Sequence, residues 1–526
     1  MMHYRSISSH RGCPDPQVID LAARLGFNDV CFQTEGDQPF MLAELRDRAD
    51  RSGLFNRIKR HGMTVSVWVH EFEDLDPAWG ELAIANEALW SGLRQRYETL
   101  LTEQVPEIDY LVLTVVESTV RCTEPAMLER LVLLLREVCH ACGKRLMIRS
   151  FVWTLEEFHG VRETISRLPD DVLVMTKYVP QDWHRGEIHH PLIGQVGGKE
   201  QVIELDIAGE YFRGDYLAHC FADELHERFA YWGEQSVAGL SVRIDRGWQP
   251  WLHHHNVLHE VQEANLWCVG MWASGEADDV ETPLIGWASE RFGPQAAPEM
   301  AAIARLCDPV VKEAMTVCGE PFGDTRRNQP ALRSMRPPRE QPATIYQPAR
   351  AENHVDPFCR WLALWRWAPE LTPRYDRLRQ GDPALARQKA THQARALELA
   401  DEALARLEAI RGELGADAWQ FLQFKLEENR HHLVLMGHAA QAWLACLRLP
   451  HLEDSERPAI HEQIAQHLHA MLAEWQAHRH ESAVVVWPAG HTRQLKRCEY
   501  LDVPGFCREM RRYAQIPSAS PEEPAS

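Results

Sequence analysis

Charged residues stand at the ends of two neighbouring apolar runs in the first half of the chain. The run 172–176 leads directly into Lys177, and Glu187 follows ten residues later. The next run carries Glu204 and Asp206 at alternate positions, which gives both carboxylates the same face of a strand. Charged residues in a buried strand need partners or a function, and this layout predicts the rim of an active site.

Eight short apolar runs recur through the first 295 residues, and each is followed by an amphipathic segment. They cover residues 4–8, 29–33, 64–69, 110–116, 145–152, 172–176, 201–207 and 239–244. Eight β/α units are the number found in a TIM barrel, so the sequence predicts an α/β fold of the (β/α)₈ class.

Residues of one chemical kind gather at the ends of these runs. Strand ends of a parallel barrel meet at one face, and active sites lie there. We therefore expect one pocket to collect Glu35, His70, Glu71, Glu117, Arg149, Trp153, Lys177, Arg243 and Asp245.

The composition of the chain changes after residue 322. Residues 1–322 are expected to form the barrel domain and residues 323–354, which contain Pro337-Pro338, a proline-rich linker. Helical periodicity rich in Ala, Leu, Glu and Arg predicts an α-helical C-terminal domain over 355–515, with one added strand at 482–487. The tail 516–526 is expected to be disordered.

The formal net charge of the 526-residue chain is −20, which argues against nucleic acid and anionic membranes as partners. No apolar run approaches the length of about 18 residues that spans a bilayer. The 13 cysteines lack framework spacing and the N-terminus lacks the pattern of a secretory signal. A cytoplasmic location is therefore expected.

Two segments have spacings that suggest metal binding. Three consecutive histidines, 253–255, cannot converge on one ion without unusual backbone. Cys139 and Cys142 lie in an amphipathic helical run and have no second pair, so helix packing explains them better. No metal and no cofactor are expected.

The barrel half, residues 1 to about 295, resembles the catalytic barrel of family 67 glycoside hydrolases, the α-glucuronidases. The residues that match the family pattern in order are Lys177, Pro180, Asp182, Glu187, His190-Pro191-Leu192, Gly194, Glu204, Glu210-Tyr211, Asp245, Trp248, His259 and Ala264-Asn265-Leu266. Gly186 and Ile188 stand where the family has arginine and proline, and the C-terminal helices differ from those of the family.

The resemblance implies hydrolysis that releases a uronic acid from an oligosaccharide by an inverting mechanism. Glu187 would be the general acid and Asp245 the general base. Lys177 and Arg149 would bind the uronic acid carboxylate. The remaining implied substrate-binding residues are Glu117, Asp182, Trp153, Trp248, His70, Glu210 and His259.

Alternatives stay open at this level. Barrels with Glu and His at strand ends also form metal-dependent sugar isomerases or epimerases. A non-catalytic carbohydrate-binding barrel is the third hypothesis, which Gly186 and Ile188 keep open. Glu204 is interpreted as a partner of Lys177 or Arg149. A homodimer is an option that the sequence neither requires nor excludes.

Overall fold

The computed structural model describes most of the chain. The described residues are 2–9, 14–32, 46, 53–72, 75–114, 124–152, 155–179, 189–209, 217–245, 257–317, 320–321, 377–378, 380–486, 492–497 and 503–516. They form two compact units. The first extends to Trp287, and the second begins at Ala288 and also contains residues 217–220.

The first unit is built on a closed barrel of eight parallel strands in sequential order. The strands are β1 (Tyr4–Ser9), β2 (Asp29–Phe32), β3 (Thr64–His70), β4 (Tyr110–Thr114), β5 (Arg145–Arg149), β6 (Leu173–Lys177), β7 (Gln201–Asp206) and β8 (Gly239–Arg243). β1 pairs with both β2 and β8, which closes the barrel. The predicted (β/α)₈ fold is confirmed, and all eight predicted strands are present.

In the part of the chain that the structure describes, helices follow seven of the eight strands. They are α1 (Pro16–Arg24), α2 (Leu54–Arg60), α3 (Glu87–Thr99), α4 (Pro125–Ala141), α5 (Leu155–Arg167), α6 (Ala222–Glu234) and α7 (Glu263–Ser274). After β6, the described residues 189–200 form turns instead of a helix. Gly194, Gly197 and Gly198 have positive φ angles of 75°, 66° and 82° there, a backbone conformation that glycine adopts without strain.

The barrel is filled by an apolar layer of side chains from alternate strand positions. Its members are Tyr4, Cys31, Trp68, Val112, Met147, Leu173, Met175 and Val202. Strands of a barrel are buried on both faces, which explains why they read as nearly continuous apolar runs. Gly239 permits the closing contact, because a Cβ atom there would lie 2.3 Å from the Tyr4 carbonyl oxygen.

The second unit is mainly helical. Beyond α8 (Glu281–Phe292), its described elements are α9 (Ala297–Met315), β9 (Thr316–Val317), β10 (Glu320–Pro321), α10 (Pro383–Ala409), α11 (Ala416–Arg448), α12 (Arg457–His478), β11 (Ser482–Val486), β12 (Thr492–Lys496) and α13 (Val503–Tyr513). Val310 and Ala314 of α9 pack with Ala396, Ala400 and Leu433 of α10 and α11. α9 thus belongs to the helical unit, although the sequence assigned it to a barrel domain reaching residue 322.

A buried lysine ties α9 to α10 inside this unit. Lys389 Nζ donates to the backbone oxygens of Glu313 and Thr316 at 2.5 and 2.8 Å, and to Glu313 Oε1 at 2.6 Å. A cation at the last carbonyls of a helix satisfies acceptors that have no partner within the helix. The fully buried ammonium group is therefore paired.

The predicted strand at 482–487 is present as β11, which pairs with β12 in an antiparallel hairpin. The predicted linker and tail lie outside the described residues, apart from residue 516. In the part of the chain that the structure describes, no helix combines the length and hydropathy needed to cross a bilayer.

Candidate active site at the carboxyl end of the barrel

Titratable side chains occupy the last positions of five barrel strands. They are His70 on β3, Arg149 on β5, Lys177 on β6, Asp206 on β7 and Arg243 on β8. Residues two apart on a strand share a face, and Met147 and Met175, two residues before Arg149 and Lys177, belong to the interior layer. The charged residues thus continue the interior face above the apolar layer.

Arg149 and Glu204 form a buried ion pair within this set. Arg149 Nε donates to Glu204 Oε2 at 2.7 Å and Nη2 donates to Oε1 at 3.1 Å. Arg243 Nη2 lies 3.9 Å from the same Glu204 Oε1. Bidentate pairing orients the guanidinium group, and the carboxylate balances its positive charge. The interpretation of Glu204 as a partner of Arg149 is thus in agreement with the geometry.

Phe151 lies beside both predicted carboxylate-binding cations. Lys177 Nζ is 3.5 Å from the centre of the Phe151 ring and Arg149 Cζ is 4.7 Å from it. Arg149 Cζ also lies 4.2 Å from the ring centre of Trp68, whose Nε1 donates to Thr114 Oγ1 at 2.9 Å. Aromatic faces attract cations and stabilise them in places with little water.

Asp245, the predicted general base, is held by a serine of the first strand. Ser9 Oγ donates to Asp245 Oδ2 at 2.6 Å, and Asp245 is 2% exposed. The contact follows from barrel closure, because β1 and β8 are neighbours and Ile244 N donates to Ser8 O at 3.0 Å. One carboxylate oxygen is thus oriented by the chain itself.

His190 lies near Lys177 and remains a neutral imidazole. Burial, and then the positive charge of Lys177, lowers the pKa of His190 to about 3. Its Nδ1 accepts a hydrogen bond from Leu192 N at 3.1 Å, which requires a lone pair on that nitrogen. Burial and the charge of Lys177 thus disfavour a positive charge on His190.

Glu71, which follows His70 directly, is engaged by α3. The Tyr97 hydroxyl donates to Glu71 Oε2, and Arg96 Nη1 and Phe72 N donate to Oε1 at 3.4 and 2.9 Å. Burial, and then the charge of Glu71, raises the pKa of Tyr97 well above its usual value. Three donors surround this fully buried carboxylate, which indicates a structural role in attaching α3 to the barrel.

Of the eleven residues to which the resemblance gives a catalytic or substrate-binding role, five fall within the described residues. His70, Arg149, Lys177 and Asp245 lie at the carboxyl end of the barrel. His259 precedes α7 with a φ of 64°, and its backbone N donates to Glu263 Oε2 at 2.7 Å. The predicted residues outside the described part are Glu187, Glu117, Asp182, Trp153, Trp248 and Glu210, together with Glu35 and His253–His255.

Three side chains that support this arrangement were given no catalytic or binding role from the sequence, although His190 belongs to the matching family pattern. Ser9 orients Asp245, Phe151 contacts Lys177 and Arg149, and His190 lies beside Lys177. Phe151 stands two residues past Arg149, and Ser9 follows the predicted first strand. Their positions next to strand ends could have indicated that Phe151 and Ser9 lie near the site. Those positions did not indicate which residues they contact.

The two cysteines considered as metal ligands are free thiols. Cys139 is buried in α4, and burial raises its pKa to about 12. Cys142 follows the helix as its C-cap residue. A thiol with a raised pKa is a poor metal ligand, which agrees with helix packing as the role of Cys139.

Comparisons with known proteins show what the fold is similar to. No protein-family model matches the chain, and no curated protein is similar to it in sequence. Among solved structures, the chain is similar to a protein described as a GH138 enzyme targeting pectin rhamnogalacturonan II, with a TM-score of 0.61 and 11% identity. The match covers 90% of this chain and 62% of the GH138 enzyme, so the chain spans less than two thirds of that protein.

Weaker likenesses involve other glycoside hydrolases. BtGH115A, described as a family GH115 4-O-methyl-α-glucuronidase with specificity for decorated arabinogalactans, has a TM-score of 0.48 and 12% identity, over 90% of this chain and 59% of that chain. CpGH84B has a TM-score of 0.45 and 10% identity, over 97% and 77%. At these identities the likeness concerns the fold. The chain therefore has a barrel fold that it shares with a glycoside hydrolase.

Proposed function

We propose that the chain is a glycoside hydrolase that releases a uronic acid from an oligosaccharide. The observation that carries the proposal is the juxtaposition of buried cations and carboxylates at the carboxyl end of the barrel, with Lys177 beside Phe151 and Asp245 held by Ser9. The fold is shared with an enzyme described as targeting a pectin polysaccharide, which supports a carbohydrate substrate.

The proposed reaction needs two carboxyl groups in different environments. Cleavage through an oxocarbenium-like transition state takes one protonated acid for the leaving oxygen and one carboxylate that activates water. We assign Asp245 as the base, because it is a buried carboxylate next to the end of β8 and is oriented there by Ser9. Glu187 is assigned as the acid from its place in the family motif. Inversion then requires a separation of about 6.5–9.5 Å between the carboxyl groups.

Recognition of the uronic acid is assigned mainly to Lys177. Arg149 already binds Glu204 through two nitrogens, so its charge is partly matched. Lys177 carries three N–H donors on a buried strand end, and its neighbour His190 is neutral. A sugar carboxylate beside Lys177 Nζ would form a charge-assisted hydrogen bond. His70, His259, Glu117, Asp182, Trp153, Trp248 and Glu210 are proposed to contact the rest of the substrate.

The first test is turnover on uronic acid-capped oligosaccharides with matched neutral ones as controls. Asp245→Asn should lower kcat/KM by about 10²–10⁴-fold, the usual contribution of an acid or base. Azide should partly restore that variant, since a small anion can attack in place of the activated water. Glu187→Gln should spare a nitrophenyl glycoside, whose leaving group needs little protonation. Full activity of Glu187→Gln on the oligosaccharide would reject the assignment.

The second test concerns the charge of the substrate. Lys177→Met should weaken binding of the uronic acid substrate by about 1.5–3 kcal/mol, the range for hydrogen bonds to charged groups. Equal weakening on the neutral sugar would contradict the role. Lys177 is a cleaner target than Arg149, because replacement of Arg149 also deprives Glu204 of its partner.

The two alternatives give different results in the same assays. A metal-dependent isomerase or epimerase would convert free sugars and lose activity when a chelator is added. A non-catalytic binding protein would bind the oligosaccharide without hydrolysing it. Neither the wild type nor Asp245→Asn would then release product over time.

A further inference from the structure

Two histidines and a glutamate meet between two helices of the second unit, far along the chain from the barrel strands. His431 lies on α11, and Glu474 and His478 lie one turn apart on α12. His431 Nδ1 is 2.8 Å from Glu474 Oε1, and His478 Nε2 is 3.6 Å from the same oxygen. The three ligand-type atoms all lie within 4.8 Å of one another.

Two of these separations, each from a histidine nitrogen to Glu474 Oε1, are close to those around a tetrahedral ion. Zinc binds imidazole nitrogen and carboxylate oxygen at about 2.0–2.2 Å, and tetrahedral angles then place neighbouring ligand atoms about 3.3–3.5 Å apart. The observed distances of 2.8 and 3.6 Å lie on either side of this value. Two imidazoles and one carboxylate are also a ligand set that proteins use for Zn²⁺, with water in the fourth position.

A second carboxylate orients one of the histidines. His478 Nδ1 lies 2.7 Å from Glu481 Oε1, so the proton of the neutral ring is held on Nδ1 and the lone pair of Nε2 faces Glu474. Glu481 is held in turn by Arg497 Nε at 2.7 Å. Metal-binding histidines usually donate their other ring N–H to a carboxylate in this way, which fixes their orientation.

Charge and access both suit a cation. Arg497 is a positive side chain beside the cluster, and it contacts the carboxylates of Glu427, Glu428 and Glu481. Glu474 adds a fourth carboxylate to this group. The side chain of His431 is 11% exposed, while those of Glu474 and His478 are 25% and 28% exposed, so ion and water can reach the cluster from one side.

We propose that His431, Glu474 and His478 bind one Zn²⁺ ion that links α11 to α12. Glu481 acts as a positioning residue through His478. The sequence predicted no metal, because the i, i+4 pair on α12 gains its third ligand from a helix more than 40 residues earlier in the chain. This site is independent of the proposed glycosidase, and either can fail without the other.

Zinc binding by the full chain tests the proposal. After chelator treatment and dialysis, the wild-type protein should bind one equivalent of Zn²⁺ tightly, measured by calorimetry with a competing chromophoric chelator. Co²⁺ in the same site should give the strong visible absorption of tetrahedral coordination. Glu481→Gln should weaken Zn²⁺ affinity by about 10- to 100-fold, as expected for a carboxylate behind a ligand. His431→Gln and His478→Gln should weaken it more.

Matched controls separate this site from weak binding by the 27 histidines of the chain. His467→Gln removes a histidine that also faces α11 from α12, where its Nδ1 lies 3.3 Å from His438 Nδ1. It should leave the tight equivalent unchanged. If His467→Gln weakens binding as much as His478→Gln, or if the wild type binds only an adventitious ion, the proposal is overturned.

Thermal unfolding supplies a readout that does not depend on activity. An ion that binds only the folded state raises its stability by mass action. Zn²⁺ should therefore raise the Tm of the wild type and of His467→Gln, but not that of His478→Gln. His478 is partly exposed, so its replacement is expected to fold even if that of the buried His431 does not. An equal rise in Tm for all three proteins would contradict the site.

Discussion

The two ends of the barrel each bury a carboxylate, but they surround it differently. At the amino end, Asp29 accepts hydrogen bonds from Tyr4, Ser6, Thr64 and Ser66 at 3.0, 2.7, 2.6 and 2.8 Å. All four donors are neutral. Burial raises the pKa of Asp29 to about 6, although each of these hydrogen bonds lowers it. This group needs no ligand, because its own neighbours satisfy it.

At the carboxyl end, a buried carboxylate meets charged partners. Glu204 pairs with Arg149 and lies 3.9 Å from Arg243, and Lys177 adds a further buried cation on the neighbouring strand. Charges are expensive to bury, and the proposed substrate site would use this concentration of them to bind a charged group. Neutral donors thus satisfy the carboxylate at the amino end, whereas the proposed chemistry uses the charged groups at the carboxyl end.

The largest expected effect comes from breaking the pair at the carboxyl end. Glu204→Gln leaves the Arg149 guanidinium buried without this carboxylate, which should lower the free energy of unfolding by about 3–5 kcal/mol. Urea unfolding followed by circular dichroism measures it.

A matched control lies at the opposite end of the same strands. Arg145 Nη2 and Glu200 Oε2 are 3.0 Å apart, with side chains 44% and 41% exposed. Because water screens this pair, Glu200→Gln should change the free energy of unfolding by less than about 1 kcal/mol. Similar losses for Glu204→Gln and Glu200→Gln would show that burial does not distinguish the two pairs.

The next effect is a loss of stability in acid that comes from His190. Its pKa in the folded chain, about 3, is below its usual value of 6.5. A depressed pKa contributes stability that is present above about pH 6.5 and is lost as pH falls towards 3, because the unfolded chain then takes up the proton more readily.

His190→Asn keeps an acceptor for the backbone N–H of Leu192 but removes the titration. We expect the variant to lose about 2–3 kcal/mol less than the wild type between pH 7 and pH 4, given about 1.4 kcal/mol per pH unit. Unfolding free energies at several pH values give the two slopes. Parallel slopes would mean that His190 does not resist protonation.

Asp29 should show the opposite response to acid. Its folded pKa of about 6 lies above the usual 3.8, so its contribution to stability is present at about pH 4 and is lost as pH rises through 6. Asp29→Asn should flatten the pH dependence over that interval by about 1–3 kcal/mol. The same unfolding series tests it, and a change of the same sign as that of His190→Asn would contradict the contrast between the two ends.

Much of this fold could be predicted from sequence, for a physical reason. Strands buried on both faces require apolar runs, and eight of them with intervening amphipathic segments leave few other architectures. The positions at which individual strands end were predicted less well. The sixth run was expected to stop at residue 176, but Lys177 continues the ladder by pairing with Glu204 on β7.

Pairings were harder to predict than elements. Arg149 and Glu204 are 55 residues apart in sequence, and Ser9 and Asp245 are 236 apart. Such contacts depend on barrel closure and strand register, which a pattern of apolar residues does not specify. The sequence indicated Arg149 as one of two candidate partners of Glu204, whereas nothing in it connected Ser9 with Asp245. Catalytic and substrate-binding roles stay predictions.

The smallest expected effect is also the one most specific to the carboxyl end. Ser9→Ala removes the hydroxyl that donates to Asp245 Oδ2 at 2.6 Å, and a hydrogen bond to a charged group contributes about 1.5–3 kcal/mol at most. Part of this loss is recovered if water enters, so we expect kcat/KM to fall by roughly 10-fold, since about 1.4 kcal/mol corresponds to a factor of ten.

A purely structural serine would lower stability and leave the pH profile of kcat/KM in place. If Ser9 positions the base, Ser9→Ala should move the acidic limb of that profile to higher pH, because loss of a donor to a carboxylate disfavours its ionised form and raises its pKa. Ser9→Thr, which keeps the hydroxyl, should restore the wild-type limb. Ser8→Ala is the control, since Ser8 is equally buried on the same strand and no contact links its hydroxyl to Asp245 among the described residues. If the acidic limb of Ser9→Ala stays where it is in the wild type, or if Ser8→Ala shifts it equally, Ser9 has no specific effect on the base. Its role would then be structural, like that of the serines that donate to Asp29 at the amino end.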